Sequence, residues 1–179
     1  MKKFTSLLIL VLMVAISNFV VPAAASNISK GIPGLKWGDS IKNAKGYTLQ
    51  HCGEPEIKGE PSFYTIFSPA DFKLVGISSK SHNAWTQPIL WTYKNRLMGV
   101  QFDLTSTDKA LSTLLDFLGS PSKKVNNSTR LGIYEWKIKG TVLVKGIDVR
   151  NGYMVQVYHL PTLNKLNQTR KTLGMVPWD

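Results

Sequence analysis

The sequence predicts an α+β fold of antiparallel sheets with few helices. Three observations carry this expectation. Segments that alternate apolar and polar residues follow one another through tight turns, around Asn95, at Lys139-Gly140 and at Asn151-Gly152. Two stretches, 107–118 and 162–173, carry the helical period instead. The strand candidates come in hairpin-joined runs and do not alternate singly with helices, which argues against a doubly wound parallel sheet.

Residues 1–25 read as an export signal. Lys2 and Lys3 form a positive start, Leu7 to Ile16 is unbroken apolar sequence, and Pro22 leads into Ala23-Ala24-Ala25. This matches a secretory signal peptide cleaved after Ala25, with a periplasmic or secreted destination. The apolar run is shorter than the roughly 18 residues that spanning wants, so no stable transmembrane anchor is expected. No Cys stands directly after the run to carry a lipid.

A short helix is expected near 40–46, then strands at 62–67 and 72–78, the second interrupted by Gly76. Residues 88–94 and 97–104 flank the turn near Asn95. A two-residue loop there would group Ile89, Trp91 and Tyr93 with Met98, Val100, Phe102 and Leu104 on one core face. The 107–118 helix places Ala110, Leu111, Leu114, Leu115 and Leu118 on one stripe; Ser106 or Thr107 can cap it, and Gly119 with Pro121 ends it. A meander follows at 132–138, 141–149 and 153–159. The 162–173 helix has Pro161 at its start, Leu163, Leu166 and Leu173 as its apolar positions, and Gly174 after it.

An internal echo points to two similar helix-plus-meander halves, 26–104 and 105–179, packed as one unit. Cys52-Gly53-Glu54-Pro55 and Leu118-Gly119-Ser120-Pro121 share G-x-P, and Ser40 and Ala44 precede the first as Ser106 and Ala110 precede the second. Glycine ends a helix and proline prevents its resumption. With Gly34-Leu35-Lys36-Trp37-Gly38-Asp39-Ser40, these stops and the meanders resemble small exported bacterial α+β proteins of the β-lactamase-inhibitor-protein-like and SmpA/OmlA-like kinds. The resemblance implies a helical segment followed by an antiparallel sheet, at times in tandem, and action by binding other proteins. The missing lipidated Cys departs from the SmpA/OmlA lipoproteins, and no inhibitory contact residue carries over.

Chemistry is sparse. The 179 residues include 22 Lys plus Arg against 11 Asp plus Glu, a net charge of +11, and a single Cys, which rules out an internal disulfide. His51 and Cys52 are neighbours, so in an extended segment they point apart and make no thiolate pair. Cys52 is expected as a small buried apolar residue. His51, Cys52, Glu54 and Glu56 cluster without the spacing of a standard metal site. No G-x-S-x-G, P-loop or G-x-G-x-x-G is present. The expectation is no catalytic residues, no metal, no cofactor and no nucleic-acid partner.

The basic residues are uneven: Lys123, Lys124, Arg130, Lys137, Lys139 and Lys145 face only Glu135 in that stretch, and Lys165, Arg170 and Lys171 follow. If two-residue turns set the register of the meander, Val142, Val144, Val155 and Val157 share one face, with Ile133, Glu135, Lys137, Asp148 and His159 at its margins. Tyr134, Trp136, Ile138, Leu143, Ile147, Met154 and Tyr158 then share the other with Lys145 and Gln156. A helix over the valines would leave Tyr134, Trp136, Lys145, Met154 and Tyr158 as an open binding surface, whereas a helix over the aromatics would make them core. The functional expectation is an exported, non-enzymatic protein that binds an envelope or extracellular protein through a sheet face. The alternatives are a peptidoglycan or carbohydrate binder, motivated by the five Trp and by affinity for anionic cell-wall material, and an unrecognised enzyme.

Overall fold

The computed structural model describes residues 27–46, 48–53, 57–67, 73–78, 87–104, 107–126, 132–149 and 152–178. The expected export signal, Glu54, Glu56, His82 and Trp85 lie outside the described residues. The elements run β1 (Gly31–Ile32), β2 (Leu35–Lys36), a 3₁₀ turn (Ile41–Asn43), β3 (Thr48–Cys52), β4 (Ser62–Phe67), β5 (Lys73–Leu74), β6 (Ile77–Ser78), β7 (Ile89–Tyr93) and β8 (Arg96–Leu104). Then come α1 (Thr107–Leu118), β9 (Lys123–Asn126), β10 (Gly132–Ile138), β11 (Val142–Val149), β12 (Gly152–His159) and α2 (Leu160–Thr172).

The fold is α+β. One eight-stranded antiparallel sheet has the order β3-β4-β7-β8-β12-β11-β10-β9, while β1-β2 and β5-β6 are separate small hairpins. The large sheet joins two four-stranded meanders through β8 and β12, which pair from Tyr153↔Leu104 to Tyr158↔Gly99. It runs unbroken across the expected boundary at 104/105. Among the described residues, no helix is long and apolar enough to cross a membrane.

Each face of this sheet has its own core. Ala110, Leu114 and Leu118 of α1 pack over Leu90, Val100, Phe102, Val144, Val155 and Val157. Leu163 and Leu166 of α2 pack over Trp91, Tyr93, Met98, Leu143 and Tyr158 on the opposite face. Strands covered on both sides lose the simple in–out alternation, and from Leu90 to Tyr93 in β7 and from Leu97 to Val100 in β8 every residue is accordingly buried, with alternation resuming at Gln101.

Two single-residue irregularities set the faces. In the β7–β8 hairpin, Lys94 and Asn95 take left-handed backbone angles (φ 51° and 58°), as a tight primed turn requires. Trp91 then pairs with Gly99 but Thr92 with Leu97, so Met98 is an extra, unpaired residue. The bulge divides the single core face expected for this hairpin. Ile89, Trp91, Tyr93 and Met98 lie on the α2 side, and Val100, Phe102 and Leu104 on the α1 side. In the β10–β11 hairpin, Lys139 and Gly140 turn the chain and Thr141 N–H donates to Ile138 O at 3.1 Å. Strand pairing nevertheless begins with Ile138↔Val142, so Thr141 is an additional loop residue.

Other expectations shift for local reasons. The helix expected near 40–46 is a single 3₁₀ turn, with the Ser40 hydroxyl accepting from Lys42 N–H at 3.4 Å. The 72–78 strand is two short strands around a Val75-Gly76 turn. Helix α1 ends where Gly119 adopts φ 76° and its N–H bonds to Leu115 O. Leu115 itself is exposed, and Phe117 packs in its place. In α2 the inward position after Leu166 is Arg170, and Leu173 is exposed. The first G-x-P follows strand β3, whereas the second follows a helix.

Arg170 binds the C-terminal segment to the first meander. Its Nε donates to Val176 O at 2.6 Å, and one terminal nitrogen donates to Gly59 O at 2.8 Å and Glu60 Oε1 at 2.9 Å. The Asn167 amide pairs with both backbone groups of Trp178, at 2.6 and 3.0 Å, which holds that indole against Phe63 and Trp91.

Two outcomes follow from this packing. A Cβ at Gly146 would collide with the Tyr153 hydroxyl, which is buried without a hydrogen-bond partner among the described residues. Gly146→Ala is expected to cost about 1–3 kcal/mol. Tyr153→Phe is expected to be near neutral and to relieve much of that cost in the double variant, measured by urea unfolding. His159 stacks on Trp37 with ring centroids 6.2 Å apart and bonds Thr162 Oγ1 at 2.8 Å. Burial, and secondarily Lys165, hold its imidazole below the ordinary 6.5. The unfolded chain therefore takes up a proton more readily than the folded one. His159's contribution is complete above pH 6.5 and is lost as pH falls through the lower folded value. A His159→Gln variant should flatten this acid limb of the urea midpoint.

Candidate functional site

Register decides which side chains can act together. The extra Thr141 shifts β10 by one residue relative to a two-residue turn, and a one-residue shift moves every side chain of a strand to the other face. Trp136 therefore stands opposite Val144, and Ile138 opposite Val142. This corrects the expected grouping of Tyr134, Trp136 and Ile138 with Leu143, Ile147, Met154 and Tyr158.

The five residues of the expected binding surface consequently divide between the two faces. Trp136 is 2% exposed in the α1 core, and its indole N–H donates to Gly119 O at 2.8 Å, satisfying a carbonyl just past the helix end. Tyr134 is half-buried beside it, with ring centroids 6.3 Å apart, and the Lys124 ammonium lies 5.2 Å from the Tyr134 ring. Tyr158 is 1% exposed beneath α2 and packs on Trp91 at 5.0 Å. Lys145 and Met154 are half-buried on that second face, the Lys145 ammonium 5.7 Å from the Tyr158 ring. No open aromatic surface is formed by Tyr134, Trp136 and Tyr158.

The α2 side of the sheet has a different character beyond the helix. Helix α2 packs on β7, β8 and β12. Beyond the helix, across β8, β12, β11, β10 and β9, side chains remain half-exposed or exposed in two parallel rows. One row is polar and crosses five strands: Gln101, Gln156, Lys145, Glu135 and Lys123 stand opposite one another in register. Its neighbour is mainly apolar: Met154, Ile147, Ile133 and Val125, with Asp103 at one end.

The two glutamines of the polar row are held in place by hydrogen bonds, and Lys145 lies over the Tyr158 ring. Tyr158 Oη donates to Gln156 Oε1 at 2.7 Å, Gln156 Nε2 donates to Gln101 Oε1 at 3.2 Å, and Gln101 Nε2 donates to Asp103 Oδ1 at 3.0 Å. Gln156 Nε2 also lies 3.2 Å from Met154 Sδ. A buried tyrosine thus begins a chain of amides that ends on a carboxylate. Such a chain fixes otherwise flexible glutamine rotamers, so little ordering cost remains when the face meets a partner.

The residues considered for catalysis do not assemble. His51 and Cys52 lie on β3 at one edge of the sheet, and both are exposed. His51 meets Tyr64 edge-on at 5.0 Å, while Cys52 Sγ lies 2.8 Å from Thr65 Oγ1. The expectation of a buried Cys52 is corrected, because an edge strand leaves that thiol outside both cores. Among the described residues, no three His, Cys, Asp or Glu side chains come together to hold a metal ion. Of the tryptophans, Trp37, Trp91 and Trp136 are buried and Trp178 is half-buried in packing.

A second feature has no compact motif in the sequence. A cleft of about 1140 Å³ opens between the β1–β2 segment, the 3₁₀ turn, the β5–β6 hairpin and Phe117 of α1. Among the described residues its lining includes Lys30, Lys36, Lys42, Lys45 and Lys73, against Asp39. The available signal was the recurrence of lysine through 30–45, outside the basic region noted at 123–171. Comparison with protein-family models, with curated proteins and with solved structures found no match.

The ladder's chemistry separates it from the core. Gln156→Ala removes contacts made mostly on a half-exposed face and is expected to cost no more than about 1 kcal/mol. Trp136→Ala empties a core site and is expected to cost about 3–5 kcal/mol. Chemical denaturation of both variants checks the contrast.

Proposed function

We propose that this is an exported, non-enzymatic protein that binds an envelope or extracellular protein through the open half of its sheet, on the side that α2 covers only in part. The observation that carries this reading is the polar row of Gln101, Gln156, Lys145 and Glu135, whose two glutamines are set by hydrogen bonds, lying against the apolar row of Met154, Ile147 and Ile133. A preordered amide row beside a strip of aliphatic side chains matches a protein surface, which presents both hydrogen-bonding groups and apolar area. The residues put forward for contact are Gln101, Gln156, Lys145, Met154 and Ile147. Export rests on the pattern of residues 1–25.

A sugar-binding role draws less support. Carbohydrate recognition by tryptophan needs an open ring face, and among the described residues Trp37, Trp91 and Trp136 are buried and Trp178 is half-buried in packing.

The test uses the chain from Ser26 as bait in affinity capture from envelope extract, beside a Met154→Asp/Ile147→Asp variant whose unfolding midpoint is measured in parallel. The expected result is one enriched protein that the folded variant fails to retain. Equal retention by both baits would show that this face is not the interface.

A further inference from the structure

We infer that the lysine-lined cleft beside β1–β2 binds an extended acidic peptide segment, at a site separate from the sheet surface proposed above. The charges come from three separate stretches of chain. Lys30 and Lys36 flank or end the β1–β2 hairpin, Lys42 and Lys45 lie in or just after the 3₁₀ turn, and Lys73 arrives from β5. All five are exposed, so their ammonium groups can be reached from solvent. Asp39 is the one acidic residue among the described residues of the lining, and a cleft lined by one sign of charge focuses the field on an incoming anion.

The floor selects among anions. Beneath the lysines lie Ile28, Ile32, Leu35, Leu74 and Val75, with Phe117 closing one side. At about 1140 Å³ the cleft exceeds the few hundred to about 1000 Å³ usual for a small-molecule site, so a lone ion or small acid would fill little of it. An extended peptide sends successive side chains to opposite sides. One in which acidic and aliphatic residues alternate can offer carboxylates to the lysines and apolar groups to the floor. An acidic glycan meets the charge but leaves the aliphatic floor without a counterpart. The cleft borders the α1-side core, to which Ile28, Ile32 and Leu35 belong, whereas the glutamine row faces the other way.

The experiment titrates the chain from Ser26 with a fluorescently labelled peptide of alternating Glu and Leu. A poly-Glu peptide, a uronic-acid oligosaccharide and vesicles of anionic phospholipid serve as comparison probes. Two variants change charge equally: Lys36→Glu/Lys45→Glu inside the cleft, and Lys165→Glu/Lys171→Glu on exposed positions of α2. Thermal unfolding verifies that both are folded. The expected result is preference for the Glu–Leu peptide, weakened about tenfold or more by the cleft variant and little changed by the α2 variant. Equal weakening by both variants would reduce the effect to net charge and overturn the proposal. So would tighter binding of the oligosaccharide or the vesicles, or no peptide binding at low salt. Capture through the sheet face is read independently, because neither pair of lysines lies on the polar row.

Discussion

The pairing of β8 with β12 is the constraint from which the rest of the architecture follows. Each meander is built from near neighbours in sequence, but this pairing joins residues on either side of α1 and three further strands, Tyr153 to Leu104 and Tyr158 to Gly99. It turns two sheets of four strands into one of eight. A sheet of that width has two broad faces, and α1 and α2 each bury part of one. Strands β7, β8 and β12 at the centre are therefore the most deeply buried, while β3 and β9 remain at the edges. The open half-face beyond α2 is a direct result: one helix of thirteen residues cannot roof eight strands.

Elements whose signals are local were legible in the sequence. Helix α1 spans the expected 107–118 because its apolar period lies within the segment and the glycine and proline that stop it, Gly119 and Pro121, follow directly after. The β10–β12 meander falls close to its expected limits for the same reason. Facing is another matter. Thr141 and Met98 each add one residue to an otherwise regular hairpin, and with a side-chain period of two each addition reverses a parity. No propensity distinguishes a Thr in a strand from a Thr that lengthens its turn. The expected aromatic surface failed at that step, although its residues were correctly placed in strands.

The two surfaces that emerge were legible to different degrees. Lys145, Gln156 and Met154 were already grouped by alternation on one face, and the hydrogen bonds linking Tyr158, Gln156, Gln101 and Asp103 then give that face its order. The cleft was not legible, because its lysines converge only when the β1–β2 and β5–β6 segments fold over the end of α1. Arg170 presents the same problem inside a helix. It occupies an apolar position in α2, yet its partners Gly59, Glu60 and Val176 come from loops that periodicity does not describe.

Those Arg170 contacts also bear on the order in which the molecule can be assembled. Every strand of the large sheet precedes α2 in the chain, so pairing and the packing of α1 can proceed while residues 160–178 are still being made. The aromatic layer of Phe63, Trp91 and Tyr158 stays uncovered through that interval and is closed only when Arg170 and Asn167 fasten Trp178 into place. An early-folding chain is thus a half-sealed one, sticky on a single side, and its vulnerability to aggregation ends with its last turn of helix and the short segment after it.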